Sequence, residues 1–351
     1  MSDDGENGDV PSDTMRGRLQ ANPFKIWVLM DARREVVAAL VVTAVFVALT
    51  VFSVLGLSPL RVIVTQHNAT WWLFSPMVGA IITGVTLVVT ISQLVLSQEL
   101  GALGDQRERM QGAIDFREDV RSHLGTEVSP PDPAQFLQAI LDGIQSRGNE
   151  LSEVVDETST ADDESLRTHT GQYVESLSDH AQTVGGRLED SQFGTFDVLF
   201  AALDFNYSWK IHEARRLRQA HGGRLSEEAD ETLDDLIDLL EFFGPAREHF
   251  KTLYFQWELV NLMRVLLAAS IPAITVAFGM LLYVDANTFT GVTLGVDNLA
   301  WVVNAACAVT LVPFALFLSY IFRIGTVAKR TLAIGPFILR ETERSENIDW
   351  E

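Results

Sequence analysis

The sequence is poor in cysteine and in lysine. Cys307 is its one cysteine, so a single chain can form neither an internal disulfide nor a thiolate cluster for a metal ion. Only 4 of the 26 basic residues are lysine, and the formal net charge is −21. Because phosphate groups require a basic face and the sequence offers none, this acidity argues against a nucleic-acid ligand.

Motifs of catalysis and cofactor binding are also missing. The sequence contains no GxxxxGK[ST], GxGxxG, HExxH or GxSxG pattern. Its 7 histidines are dispersed without the spacing of metal ligands, and its acidic runs lack the register of a calcium-binding loop. These absences predict a protein that is not an enzyme and that holds no cofactor and no metal.

The acidic, lysine-poor and arginine-rich composition resembles that of proteins from extreme halophiles, especially haloarchaea. At molar salt the Debye length shrinks to ~3 Å, so the repulsion among acidic side chains is largely screened. The acidity is therefore explained by the solvent, without a basic partner.

Four long runs of the sequence carry no charged residue: 36–57, 71–97, 265–284 and 299–322. A helix of 22 residues rises about 30 Å, the thickness of the hydrocarbon core of a bilayer. No acid or histidine lies within these runs, which argues against a proton relay. They predict an all-α integral membrane protein with four transmembrane helices, located in the cell membrane and in contact with the lipid bilayer.

The runs divide the chain into two transmembrane hairpins separated by a helical insert, with no convincing alternating strand. The predicted segments are a disordered acidic tail (1–15), an interfacial helix with the first hairpin (16–98), a cytoplasmic helical domain (99–255), the second hairpin (256–323) and a C-terminal tail (324–351).

The basic residues predict the orientation of the spans. Arginine and lysine cluster beside the ends that face the two tails and the insert, whereas Arg61 is the one basic residue of the two opposite loops. Both termini and the insert are therefore expected in the cytoplasm. Asn68 begins an Asn-Ala-Thr sequon in a loop on the other side, where glycosylation is predicted.

The second run bears polar residues on one face. There are six of these residues, and their sequence spacings of 4, 3, 4, 3 and 4 place them within a stripe about 80° wide on a helix. Lipid offers such groups no hydrogen bonds, so the stripe faces either water in a pore or other helices. These residues, hereafter the polar stripe, are Gly79, Thr83, Thr86, Thr90, Gln93 and Ser97.

The residues GVTLVVTISQLVLSQELGALGDQRERM (84–110) resemble a run in uncharacterised prokaryotic membrane proteins, in which a span bearing Ser, Thr and Gln leads into a cytoplasmic helix. This resemblance covers under a tenth of the chain. It implies a multi-pass membrane protein of haloarchaeal type and no particular activity.

The leading functional hypothesis is an oligomeric ion channel, formed by several copies of the chain, whose neutral pore is lined by the polar stripe. The alternative is a membrane-anchored scaffold or signal transducer whose large cytoplasmic insert binds a protein partner.

Overall fold

The computed structural model describes residues 24, 27–56, 60–99, 101–160, 163–189 and 196–330. The predicted tail 1–15, half of the interfacial helix (16–23, 25 and 26) and residues 331–351 lie outside these ranges. Within them the fold is all-α apart from two short strands. A π-helical turn, Trp27–Asp31, is followed by helices α1 (Arg34–Leu55), α2 (Leu60–His67), α3 (Ala69–Glu99), α4 (Leu103–Leu124), α5 (Pro133–Thr158), α6 (Glu164–Glu189), α7 (Phe196–Asp204), α8 (Tyr207–His221), α9 (Glu227–Tyr283) and α10 (Asn298–Arg330).

Four of these helices are long and apolar enough to cross a membrane. They are α1, α3, α9 and α10, with the apolar stretches lying within Arg34–Leu55, Ala69–Ser97, Glu227–Tyr283 and Asn298–Ala328. Pro76 and Pro313 lie inside α3 and α10 without ending them.

The chain forms two compact units. The apolar unit comprises Ala21–Gly101 and Gln256–Lys329, and the polar unit includes Ala102–Phe255. The boundary between them falls within α9, which runs on through Gly244 and Pro245, although a glycine and a proline in succession favour a break in a helix.

Hydrogen bonds join distant parts of the apolar unit. The Asn304 amide of α10 donates to the Ser53 hydroxyl of α1 at 3.1 Å. The buried Arg34 guanidinium donates to the carbonyl of Ser319 at 3.2 Å and to that of Ala32, which also accepts from Arg323 at 2.9 Å. Arg34 therefore lies buried within the unit, where backbone carbonyls accept from its guanidinium.

The loop between α9 and α10 contains a small antiparallel sheet, β1 (Val292–Thr293) and β2 (Val296–Asp297), which the sequence did not predict. The Arg61 guanidinium of α2 clamps this loop. It binds both carboxylate oxygens of Asp297, at 2.7 and 2.8 Å, and donates to the carbonyls of Thr288 at 3.1 Å, Phe289 at 2.6 Å and Ala286. The one basic residue of the two loops therefore has a structural role.

Replacing Arg61 by methionine should loosen this loop. The substitution removes a bidentate ion pair and several bonds to carbonyls, at a cost of about 1–3 kcal/mol, since the pair is about a quarter exposed. Amide hydrogen exchange across residues 286–297 should become faster. Arg33→Met is the matched control, because Arg33 is highly exposed and its pair with Glu35 is 3.7 Å long. Unchanged amide hydrogen exchange in Arg61→Met would show that Arg61 does not hold this loop.

The polar unit surrounds a core contributed by α5 to α8 and the beginning of α9. Asp132 caps α5, because its carboxylate accepts from the backbone amides of Ala134 at 2.9 Å and Gln135 at 3.1 Å. The Ser226 hydroxyl likewise accepts from the backbone amide of Ala229 at 3.1 Å before α9. The apolar face of α9 is buried in this core, through Leu233, Leu236, Ile237, Leu240 and Phe243.

Local sequence does not determine two details of the insert. Helix α6 continues through Gly185 and Gly186 to Glu189, although a pair of glycines favours the end of a helix. The apolar residues from Phe196 to Tyr207 have helical spacing, but the structure divides this stretch into α7 and α8 around Phe205 and Asn206. The Phe205 side chain is fully buried against Phe243, so tertiary packing holds this break.

Candidate functional site

The polar stripe occupies the outward face of α3. All six of its residues are exposed in the single chain. The face that packs into the apolar unit is the opposite one, about 180° away on a helix. Its buried residues are Phe74, Ile81, Val88 and Ser92. Within one chain the stripe is therefore not sealed against neighbouring helices.

The hydroxyl protons of the stripe are largely used within α3 itself. Thr86 donates to the carbonyl of Ile82 at 2.9 Å, Thr90 donates to that of Thr86 at 2.8 Å, and Ser97 donates to that of Leu94 at 2.7 Å. Each hydroxyl oxygen keeps lone pairs that can accept a further hydrogen bond. The exposed surface of the stripe therefore offers hydrogen-bond acceptors to water or to another chain.

Gln93 differs from the hydroxyl residues. Its carboxamide makes no hydrogen bond to any residue in the part of the chain that the structure describes, and it is exposed. A primary amide carries two donors and one acceptor that must be satisfied by water or by another chain if the helix lies in lipid. Gln93 is therefore the stripe residue with the greatest need for an external polar partner.

An open apolar groove runs beside the stripe. Its volume is about 640 Å³, and Thr83 lines both the groove and the stripe. The remaining wall comes from α3, α9 and α10, including Met77, Gly84, Leu266, Thr310, Phe314 and Phe317. The outward side of α3 thus combines a polar row with unfilled apolar surface.

The predicted sequon overlaps the start of α3, since Asn68 directly precedes the helix and its other two residues begin it. Asn68 is exposed with φ of 46°, and its carbonyl accepts from the amide of Trp72 at 3.1 Å. The side chain is accessible, and its glycosylation stays a prediction.

Comparison with known proteins places the chain in a family. A model described as "Family of unknown function (DUF7972)" matches residues 1–351. The chain belongs to this family. No curated protein and no solved structure matches it. Membership of DUF7972 agrees with the expectation of an uncharacterised family, and the haloarchaeal source stays a prediction.

Elsewhere in this DUF7972 chain, among the described residues, no three His, Cys, Asp or Glu side chains form a group that could hold a metal ion. Cys307 is buried among apolar residues of α3, α9 and α10.

The structure brings together two histidines that the sequence left dispersed. His169 of α6 and His221 at the end of α8 approach to 2.9 Å between Nδ1 and Nε2. Since 52 residues separate them, no local spacing could reveal the pair. Burial lowers the pKa of His221, with His169 and Arg224 acting in the same direction and Asp163 opposing them.

The pair predicts that acid destabilises the polar unit. An unfolded histidine has a pKa of about 6.5, above that of folded His221, so the unfolded chain binds the proton first. The contribution to stability is complete above about pH 6.5 and is lost as the pH falls toward the folded pKa. In chemical denaturation of the full chain, the free energy of unfolding of His221→Gln should fall less between about pH 7.5 and about pH 5.5 than that of the wild type.

His249→Gln supplies the control, because His249 is exposed and lies outside the pair, so this variant keeps the contact between His169 and His221. If the free energy of unfolding depends on pH equally in the wild type and in His221→Gln, the pair does not cause the loss of stability in acid.

Proposed function

We propose that the chain is a multi-pass membrane protein, with both termini and the polar unit in the cytoplasm, and that several copies assemble into a channel lined by the polar stripe. The observation that carries the proposal is the outward exposure of all six stripe residues on a helix long and apolar enough to span a bilayer. A row of polar groups in that position needs water or polar partners, which lipid does not supply.

The chemistry of the stripe supports a wettable and neutral path. It carries no charged side chain between Gly79 and Ser97, and its hydroxyl oxygens and one amide can replace part of the hydration of a passing ion or water molecule. The groove beside Thr83 supports lateral association, since it offers apolar surface on which a second copy can pack.

Reconstitution tests the proposal. Purified wild-type chain in planar bilayers at molar salt should give discrete conductance events, and its mass in detergent should correspond to a ring of four or more copies. A monomer, or a protein that conducts under no condition, would eliminate the channel.

A scaffold or signal transducer is the second candidate, and one observation favours it. Leu103, Met110 and Ile114 of α4 are exposed by 83%, 66% and 48%, and their spacing places them on one face. An apolar row of this kind in water fits a partner helix. Co-purification of a protein from the native host that is lost in Met110→Glu, from a chain that is monomeric or dimeric, would support it.

A further inference from the structure

The loop between α9 and α10 ends in an exposed apolar tip. Phe289, Val292 and Leu294 are exposed by 49%, 69% and 89%. No charged residue lies between Asp285 and Asp297. A cluster of large apolar side chains on the surface, without a charge among them, marks contact with another apolar phase.

The tip is held rigidly. Phe289 and Leu294 both have positive φ, 49° and 54°, a conformation that bulky residues rarely adopt. Hydrogen bonds around them maintain it: Arg61 holds the carbonyls on one side, and the Asn298 amide donates to the carbonyl of Gly291 at 3.0 Å on the other. A tip fixed in this way presents its side chains without a large further loss of conformational entropy.

A second anchor fixes the depth of the tip. The Trp301 indole donates to the carbonyl of Thr293 at 3.1 Å. Trp301 is the fourth residue of α10, one turn inside the helix, so the strand pair folds back beside that turn. Tryptophan at the end of a membrane span prefers the boundary between headgroups and acyl chains. Thr293, which is hydrogen-bonded to Trp301, is therefore expected at the same depth in the membrane.

We propose that Val292 and Leu294, with Phe289, insert into the outer leaflet at the boundary between headgroups and acyl chains. The inference rests on the proposed membrane position of the four apolar helices and is independent of the pore. The partner is lipid rather than a soluble protein, because the bond to Trp301 keeps the tip at the interface and its sequence is uncharged.

Quenching of a fluorescent label tests the insertion. In a Cys307→Ala background, the full chain with Leu294→Cys is labelled with an environment-sensitive fluorophore and placed in lipid nanodiscs, whose two faces both meet solvent. Lipids carrying a nitroxide near the top of the acyl chain should quench the label strongly. Quenching by aqueous iodide should be severalfold weaker than for a label at Val128→Cys, an exposed position of the polar unit.

A label at Ile271→Cys, an exposed apolar position of α9, separates the possible failures. If lipid quenches neither Ile271→Cys nor Leu294→Cys, the membrane position itself is wrong. If lipid quenches Ile271→Cys but only iodide quenches Leu294→Cys, the membrane position stands and the inserted tip is refuted. Labelling at Val292→Cys should repeat the result for Leu294→Cys, which guards against a bias from one label position.

Discussion

Replacing Gln93 by leucine is expected to abolish the conductance of the reconstituted protein. In an assembly of several copies, every subunit contributes this amide at the same level of the pore. Leucine there replaces a ring of polar groups by a ring of apolar ones, and hydrophobic constrictions close pores by dewetting. Single-channel recording in planar bilayers at molar salt measures the effect. Leucine at Thr86 or Thr90 should alter or abolish conductance for the same reason.

The matched control is Ile91→Leu. Ile91 is also exposed on α3, by 43%, but lies about 160° around the helix from Gln93. This variant should conduct like the wild type. Normal conductance in Gln93→Leu would remove the polar stripe from the pore, even if the protein proves to be a channel.

Replacing Phe243 by alanine should produce the largest loss of stability. The ring is fully buried in the core of the polar unit, in edge-to-face contact with Phe205 at 4.9 Å between centroids. Truncation of a buried phenylalanine leaves a cavity and costs about 3–5 kcal/mol in the free energy of unfolding. Chemical denaturation of the full chain, followed by circular dichroism, measures it.

Two variants bracket this effect. Phe243→Leu keeps most of the volume and should cost less than alanine. Val128→Ala, at a position exposed by 79%, should change the free energy of unfolding by less than about 0.5 kcal/mol. A loss in Phe243→Ala no greater than that in Val128→Ala would show that this core does not hold the unit together.

The periodic parts of the fold were predictable from the sequence. Charge-free runs long enough to cross a bilayer identify the four apolar helices, and Asp132 and Ser226 mark helix starts because their side chains cap free amides locally. Helical spacing alone groups the polar stripe, Gly79 through Ser97, on one face of α3, but which way that face points could not be derived from the sequence.

The rest depends on contacts between distant residues. Arg34 is buried because carbonyls of the π-helical turn and of α10 surround it, and the sequence near it gives no sign of this. The clamp between Arg61 and Asp297 joins positions 236 residues apart, and the contact of His169 with His221 depends on how α6 and α8 pack. Helix α2 was missed because its eight residues are too few for a clear period.

Cysteine accessibility along α3 tests most directly whether the stripe meets water. With Cys307 replaced by alanine, single cysteines are placed in turn at Thr83, Thr86, Thr90 and Gln93, and at the off-stripe positions Leu87, Ile91 and Leu94, in membranes at molar salt. Thiols react with charged thiosulfonates as thiolates, which form only in contact with water. A pore lined by the stripe predicts reaction at the stripe positions and none at the others. Equal protection at all seven positions would show that the stripe meets no water, and the channel would be excluded.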